Sequence, residues 1–322
     1  MASGKLSIAV AGAGSFGREH LAALARRDDV AIAGVADINR EAAEAASQRF
    51  GAERTFTDSV AMLDALGLDG LVVATPGHTH VALATAALER NIPVLLEKPV
   101  GMHAADADLL IAAEAKSSAF ALPGHILRFS APYRRVVAIA QSGELGRILS
   151  VTGRNHRDEG HSVRYPDIDP VLMTMVHDID LSLWITGGAL QSVIAVRRPE
   201  RTSRSETLIT GWDSAGAMWH ISNAWVLPVP EGAPDRVEIV CEKGSVEMDL
   251  GVAIRVFGDS PRVIDLRTEP PDDMLATEVA AFVSGVKAGT HPGTVTLGDA
   301  RNGLAAADAI LKSLETGGVV AL

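Results

Sequence analysis

From residue 5 to about 122, short apolar runs alternate with longer stretches in which apolar positions recur every three or four residues. The runs at 5–11, 30–36, 70–74, 93–96 and 120–122 predict strands, and the stretches at 16–26, 40–50, 78–89 and 104–117 predict helices. Regular strand–helix alternation implies right-handed crossovers and a doubly wound parallel sheet. Pro123-Gly124 breaks that rhythm. Beyond it, strands are expected in succession at 148–157, 193–198, 205–212, 217–226 and 236–256, which implies antiparallel pairing. Helices are expected near 131–142, 170–185, 272–288 and 298–316, so the later part of the chain is predicted to be α+β with a mostly antiparallel open sheet. Mixed apolar and polar faces at 205–212 and 217–226 leave a broad sheet to be covered, and a second subunit is one way to cover it.

At 322 residues the chain is long for one core, so two domains are the default, divided here as 1–122 and 123–322. The formal net charge of −11 opposes a nucleic-acid partner. A single cysteine, Cys241, excludes an internal disulfide and any multi-cysteine metal site. No apolar run approaches a membrane span, and residues 1–5 lead into the first strand without signal-peptide character, so a soluble cytoplasmic protein is expected. Only 6 lysines stand against 23 arginines, which makes each lysine worth individual inspection.

The first apolar run ends in Gly12-Ala13-Gly14-Ser15-Phe16-Gly17, with the spacing G-x-G-x-x-G. A strand that turns sharply at Gly12, admits a pyrophosphate at Gly14 and packs its helix closely at Gly17 needs glycine at each point. Ser15 and Phe16 then lie in the first turn of a helix whose positive end faces the phosphates. The second run ends at Asp37, where a Rossmann unit delivers an acid to the adenosine ribose. A 2′-phosphate there would meet like charge, which favours NAD over NADP, although Arg40 partly offsets the repulsion. The 1–122 domain is therefore expected to be an NAD(P)-binding Rossmann domain.

Two further clusters stand at carboxyl ends of the expected parallel strands, the edge where open α/β sheets bind ligands. They are Ala74-Thr75-Pro76-Gly77-His78-Thr79-His80 and Glu97-Lys98-Pro99. Together with the glycine motif and His177-Asp178-Ile179-Asp180, they make the chain resemble the glucose-fructose oxidoreductase/inositol dehydrogenase (Gfo/Idh/MocA) family. The closing segment from Glu278-Val279-Ala280-Ala281-Phe282 through Asp299-Ala300 to Ser313 also resembles the end of that family. The resemblance implies cofactor contacts at Thr75, Pro76, His80, Glu97 and Lys98. It implies a catalytic Lys98 beside the nicotinamide and substrate hydroxyl, an acid/base His177, and Asp180 as its orienting partner. Desolvation and a cationic nicotinamide would push a lysine there toward working pH, and imidazole titrates near neutrality. Arg128 and His156 are candidate substrate contacts, the latter in the histidine-rich stretch 155–164.

One departure stands out. Inositol-dehydrogenase-like members carry an aspartate one helical turn before the histidine, and here that position is Met173. Lys98 and His177 could suffice, another acid such as Asp169 or Asp178 could substitute, or the usual oxidation could be lost. His156, His161 and His177 match no tight zinc motif, so no metal is expected. The resemblance implies an NAD-dependent dehydrogenase of a secondary hydroxyl in a sugar, polyol or related carbohydrate, working as a homodimer or homotetramer joined through the C-terminal sheet. A redox-neutral, NAD-dependent glycoside-cleaving enzyme and a non-catalytic dinucleotide-binding regulator stay open as alternatives.

Overall fold

The computed structural model describes residues 4–198, 205–228 and 233–322. Residues 1–3, part of the stretch read above for signal-peptide character, lie outside them. The chain forms two compact units, one of Met1–Phe129 with Asp273–Arg301 and the other of Ser130–Asp272 with Asn302–Leu322.

In the first unit, β1 (Leu6–Ala11), α1 (Ser15–Ala25), β2 (Val30–Ala36), α2 (Arg40–Phe50), β3 (Thr55–Phe56), α3 (Ser59–Ala65), β4 (Gly70–Val73), α4 (His80–Glu89), β5 (Val94–Glu97), α5 (Ala104–Glu114) and β6 (Ala121–Gly124) follow in order. The six strands pair in parallel in the order β3-β2-β1-β4-β5-β6. The central strands are buried on both faces, as their continuous apolar runs require: Ile8 to Ala11, Leu71 to Val73 and Val94 to Leu96 are each 0% exposed. Helix α2 matches the expected 40–50 because its ends are chemically marked. The Asn39 side chain accepts from Glu41 N and Ala42 N, and Gly51 takes the left-handed conformation that stops the helix.

Two elements were not expected, the two-residue β3 and the short helix α3, which Asp58 starts by capping Val60 N and Ala61 N. Pro123-Gly124 does not end the parallel pattern. It lies inside β6, an edge strand, where a proline without an N–H is tolerated. The chain also returns to this unit after residue 272, whereas the expected single cut at 122 leaves that segment in the second domain. On the returning helix, Met274–Ala288, Val279, Phe282 and Val283 join Ile8, Val10, Val72, Phe120 and Leu122 in one core.

The second unit comprises α6 (Ala131–Gln141), β7 (Ile148–Asp158), α7 (His161–Arg164), α8 (Val176–Thr186), β8 (Leu190–Arg197), β9 (Ser205–Asp213), β10 (Met218–Leu227), β11 (Arg236–Cys241), β12 (Gly244–Asp249), β13 (Ala253–Phe257), β14 (Arg262–Asp265) and β15 (Val320–Ala321). They build a nine-stranded sheet in the order β14-β13-β12-β11-β7-β10-β9-β8-β15. Its pairs are antiparallel, as expected of a mostly antiparallel sheet, except at the centre, where the non-successive β7 and β10 run parallel. The expected 236–256 strand resolves into β11, β12 and β13, and β14 and β15 were not anticipated. Alternating side chains bury Ile209, Trp219, Ile221 and Ile239 on one face. On the opposite face of β8 and β9, Ile194, Val196, Leu208 and Trp212 stay exposed, with Val196 paired directly against Leu208.

Candidate active site

The glycine turn is built at atomic contact. At Gly12, φ is +100° and a Cβ would lie 2.4 Å from the Ala74 carbonyl oxygen. At Gly17 a Cβ would lie 1.9 Å from the Gly12 carbonyl oxygen. No side chain larger than hydrogen fits either place. Gly14 differs: a Cβ there meets nothing within 4 Å. Its opening faces the start of α1, which has no side-chain cap and no acidic residue in its first turn. Ser15 and Phe16 are exposed in that turn. An uncapped, unopposed helix N-terminus over an open backbone fits a dinucleotide pyrophosphate.

Asp37 ties this turn to the end of β2. One carboxylate oxygen accepts from Ala13 N at 2.7 Å and the other from Asn39 N at 2.8 Å. Each oxygen keeps a second lone pair, the capacity a ribose diol requires. Arg40 is exposed at the start of α2, 4.0 Å from Glu44.

Past β4, the Thr79 hydroxyl donates to Thr75 Oγ1 at 2.7 Å, and His80 sits 1% exposed between two carbonyls. Its Nδ1 is 2.8 Å from Pro99 O and its Nε2 2.7 Å from Thr75 O. Burial disfavours the imidazolium and holds its pKa below the ordinary value. A neutral ring has one N–H and so donates to one carbonyl at a time. Both ring nitrogens face the protein, and His80 braces the two loops that carry Thr75, Pro76 and Lys98.

Lys98, at the end of β5, is 9% exposed, and its Nζ lies 5.8 Å from the centroid of the Phe16 ring. Glu97 is 7% exposed; Oε1 stands 2.6 Å from His20 Nε2 and Oε2 accepts from Lys98 N at 3.1 Å. Burial alone would raise the Glu97 pKa, but the His20 hydrogen bond and the neighbouring positive groups outweigh it and hold the carboxyl below its usual range. Glu278 lies in the same buried cluster. Burial first, and the Glu97 charge second, push its pKa well above the ordinary value. Neither His20 nor Glu278 was picked out from sequence as a site residue. The available signal was an ionisable side chain on an otherwise apolar helix stripe, as in Leu-Ala-Thr-Glu278-Val-Ala-Ala-Phe. Arg128 is 5% exposed, its guanidinium 3.3 Å from Asp299 Oδ1 and 3.4 Å from Thr294 O.

In the second unit, a π-helical turn, Val171–Met175, precedes α8. From residue 171 to 183 every position is buried except His177, which is half-buried. Asp180, three residues on, is 1% exposed, and Met173, one turn earlier, is 8% exposed. Both suggested replacement carboxylates have surroundings of their own. Asp169 is taken by both guanidinium nitrogens of Arg197, each at 2.7 Å. Asp178 is buried under β7, where desolvation and then the Asp235 charge drive its pKa well above normal. Asp235 is itself held by Arg157 at 2.7 and 3.0 Å. His156 Nε2 pairs with the Ser222 hydroxyl at 2.8 Å, while His161 Nδ1 pairs with Asp158 at 2.8 Å, so the two rings serve different partners. Burial lowers the pKa of both.

Residues 6–125 match the family model described as the Gfo/Idh/MocA oxidoreductase family with an NAD-binding Rossmann fold. Residues 133–247 match that of the Gfo/Idh/MocA C-terminal domain. An inositol 2-dehydrogenase of Streptomyces avermitilis is 30% identical over 255 residues, covering 76% of this chain and 72% of its own. Inositol 2-dehydrogenase 4 of Saccharopolyspora erythraea is 28% identical over 268 residues, covering 80% of this chain and 78% of its own. Among solved structures, an oxidoreductase from Agrobacterium radiobacter in complex with NAD+, L-tartaric acid and magnesium superposes with a TM-score of 0.88 at 18% identity. The match covers 98% of each chain.

Proposed function

Since the chain belongs to the Gfo/Idh/MocA family, and is accordingly an NAD-dependent dehydrogenase acting on CH–OH groups of sugars or polyols, we propose that it oxidises one hydroxyl of an inositol-like cyclic polyol to a ketone. The observation that carries this reading is Lys98. It is buried at the carboxyl edge of the parallel sheet with its ammonium against Phe16, in the first turn of the helix that faces the pyrophosphate.

Bound NAD supplies the hydride acceptor. The pyrophosphate would be held by Gly12, Gly14, Ser15, Phe16 and the α1 N-terminus, and the ribose hydroxyls by Asp37. Thr75 and Pro76 would contact the nicotinamide end of the cofactor, with His80 and Glu97 holding the loops that carry them and Lys98. Lys98 orients the reacting hydroxyl as a hydrogen-bond donor, and His177, as the base, accepts the hydroxyl proton when the carbinol hydrogen leaves as hydride for NAD and the C=O bond forms. Asp180 orients His177 from the same helix. With Met173 in place of an aspartate and both Asp169 and Asp178 committed elsewhere, Lys98 and His177 serve the hydroxyl without a second carboxylate. Arg128, held by Asp299, and His156, held by Ser222, take supporting parts at the substrate.

We place the reaction in the cytoplasm, where NAD turns over, and expect a homo-oligomer through the open face of β8 and β9 that bears Ile194, Val196, Leu208 and Trp212. The test of function is formation of reduced nicotinamide from NAD and a panel of inositols, sugars and sugar acids. Turnover of an inositol by the wild type, lost in Lys98→Met with NAD affinity retained, supports the proposal. A wild-type rate in Lys98→Met removes Lys98 from the chemistry, and turnover confined to sugar acids removes the polyol.

A further inference from the structure

Beneath Lys98, three ionisable side chains from three separate elements of one unit converge: His20 from α1, Glu97 from β5 and Glu278 from the helix Met274–Ala288. One ring nitrogen of His20 and one carboxylate oxygen from each glutamate lie within 4.8 Å of one another, and His20 and Glu278 are 0% exposed. Hydrogen-bond donors are unequally shared. Glu97 has two, His20 Nε2 at 2.6 Å and Lys98 N at 3.1 Å. Among the described residues, both oxygens of Glu278, and Nδ1 of His20, have no hydrogen-bond partner. Two carboxylate charges in so small a dry space would repel strongly, and a carboxylate without donors cannot replace its lost hydration. Glu97 therefore keeps the charge and Glu278 the proton. A shared metal ion does not suit this arrangement, because His20 and Glu97 already meet at hydrogen-bond distance with no room for an ion between them.

We propose that Glu278 is a positioning residue for Lys98. As a neutral carboxylic acid it fills the space under Glu97 without adding a charge that would compete for the His20 proton, and so leaves the Glu97 carboxylate fixed between His20 and the Lys98 backbone N–H. The role rests on the proposal that Lys98 acts on the substrate hydroxyl. It differs from ordinary packing in requiring neutrality rather than mere bulk.

Infrared difference spectroscopy of the whole protein at neutral pH, wild type against Glu278→Gln, reads the protonation state without any turnover. A neutral-carboxyl C=O band present in the wild type and lost in the variant is expected, and its absence overturns the proposal. In steady-state kinetics with NAD and the polyol that the panel identifies, Glu278→Ala is expected to lower kcat roughly tenfold to a hundredfold at nearly unchanged KM for NAD, the scale of a misplaced reacting group. The neutral isostere Glu278→Gln should restore kcat to near the wild-type rate. A wild-type kcat in Glu278→Ala, or a Glu278→Gln as slow as Glu278→Ala, also overturns it. The infrared comparison needs only the isosteric variant, so a misfolded Glu278→Ala leaves the question decidable. If Lys98→Met keeps its rate, the catalytic reading of Lys98 fails, while the infrared band still reports whether Glu278 holds the proton.

Discussion

Gly14→Ala separates the two duties of the glycine turn. A methyl group at residue 14 meets nothing within 4 Å and φ there is −66°; alanine is a poorer N-cap than glycine, but its lower unfolded-state entropy offsets about 0.4–1 kcal/mol, so the cofactor-free protein should change in stability by less than about 1 kcal/mol. The same methyl occupies the space through which a pyrophosphate reaches the backbone, so NAD affinity should fall at least about tenfold, or about 1.4 kcal/mol. In linkage terms, NAD at a hundred times its dissociation constant stabilises the folded protein by about 2.7 kcal/mol, and a tenfold weaker site would leave about 1.4 kcal/mol. Gly17→Ala is the contrast. Its Cβ falls 1.9 Å from the Gly12 carbonyl, so α1 must move away from the turn by more than 1 Å, with a cost of about 1–3 kcal/mol even without cofactor. Titration calorimetry with NAD and thermal melts with and without it measure both effects. If Gly14→Ala binds NAD as tightly as the wild type, the pyrophosphate does not approach residue 14. If Gly17→Ala melts as the wild type does, the close contact does not govern that helix.

Asp37→Ala should weaken NAD roughly tenfold and narrow the gap to NADP; an unchanged affinity ratio in parallel titrations would place ribose recognition elsewhere. Asp178 holds its proton more tightly folded than unfolded, so its contribution to stability is fully present below the ordinary carboxylate pKa and is lost as pH rises above it. Asp178→Asn removes that loss and should gain melting temperature over the wild type at pH 7 but not at pH 4, and an equal difference at both would refute the buried neutral acid. Trp212→Glu, on the open face of β9, should lower the mass seen by light scattering, whereas a monomeric wild type would sink the assembly proposal outright.

Legibility in the sequence followed how local the determinants are. The β1 turn and α2 could be read because Gly17, Asn39 and Gly51 act within a few residues of themselves, although the Ala74 carbonyl that crowds Gly12 comes from a distant strand. The parallel pairing of β7 with β10 could not, because it depends on which distant strands meet rather than on succession. The 236–256 stretch hid its second turn because apolar alternation runs on from Val246 through Leu250 and Val252 to Val256, whereas Glu242-Lys243-Gly244 marked the first. At the candidate site, Lys98 was conspicuous as one of few lysines beside a proline. His20 and Glu278 came from a helix face and a returning segment, 77 residues before and 181 after Glu97, and nothing in the spacing joins them. The fates of Asp169 and Asp178 were equally hidden, since Arg197 and Asp235 decide them from other strands.

The return of Asp273–Arg301 to the cofactor-binding unit has a consequence during synthesis. Val279, Phe282 and Val283 complete the core around Ile8, Val10 and Phe120, and Phe282 packs edge-on against Phe120 at 6.1 Å. A ribosome that has delivered the glycine turn, Asp37 and Lys98 has still not delivered the residues that seal that core, so the nascent parallel sheet keeps an open apolar flank until nearly the whole message is read. Premature termination in the second unit would therefore leave not a working nucleotide-binding module but an unsealed one, with its sticky surface offered to chaperones and proteases.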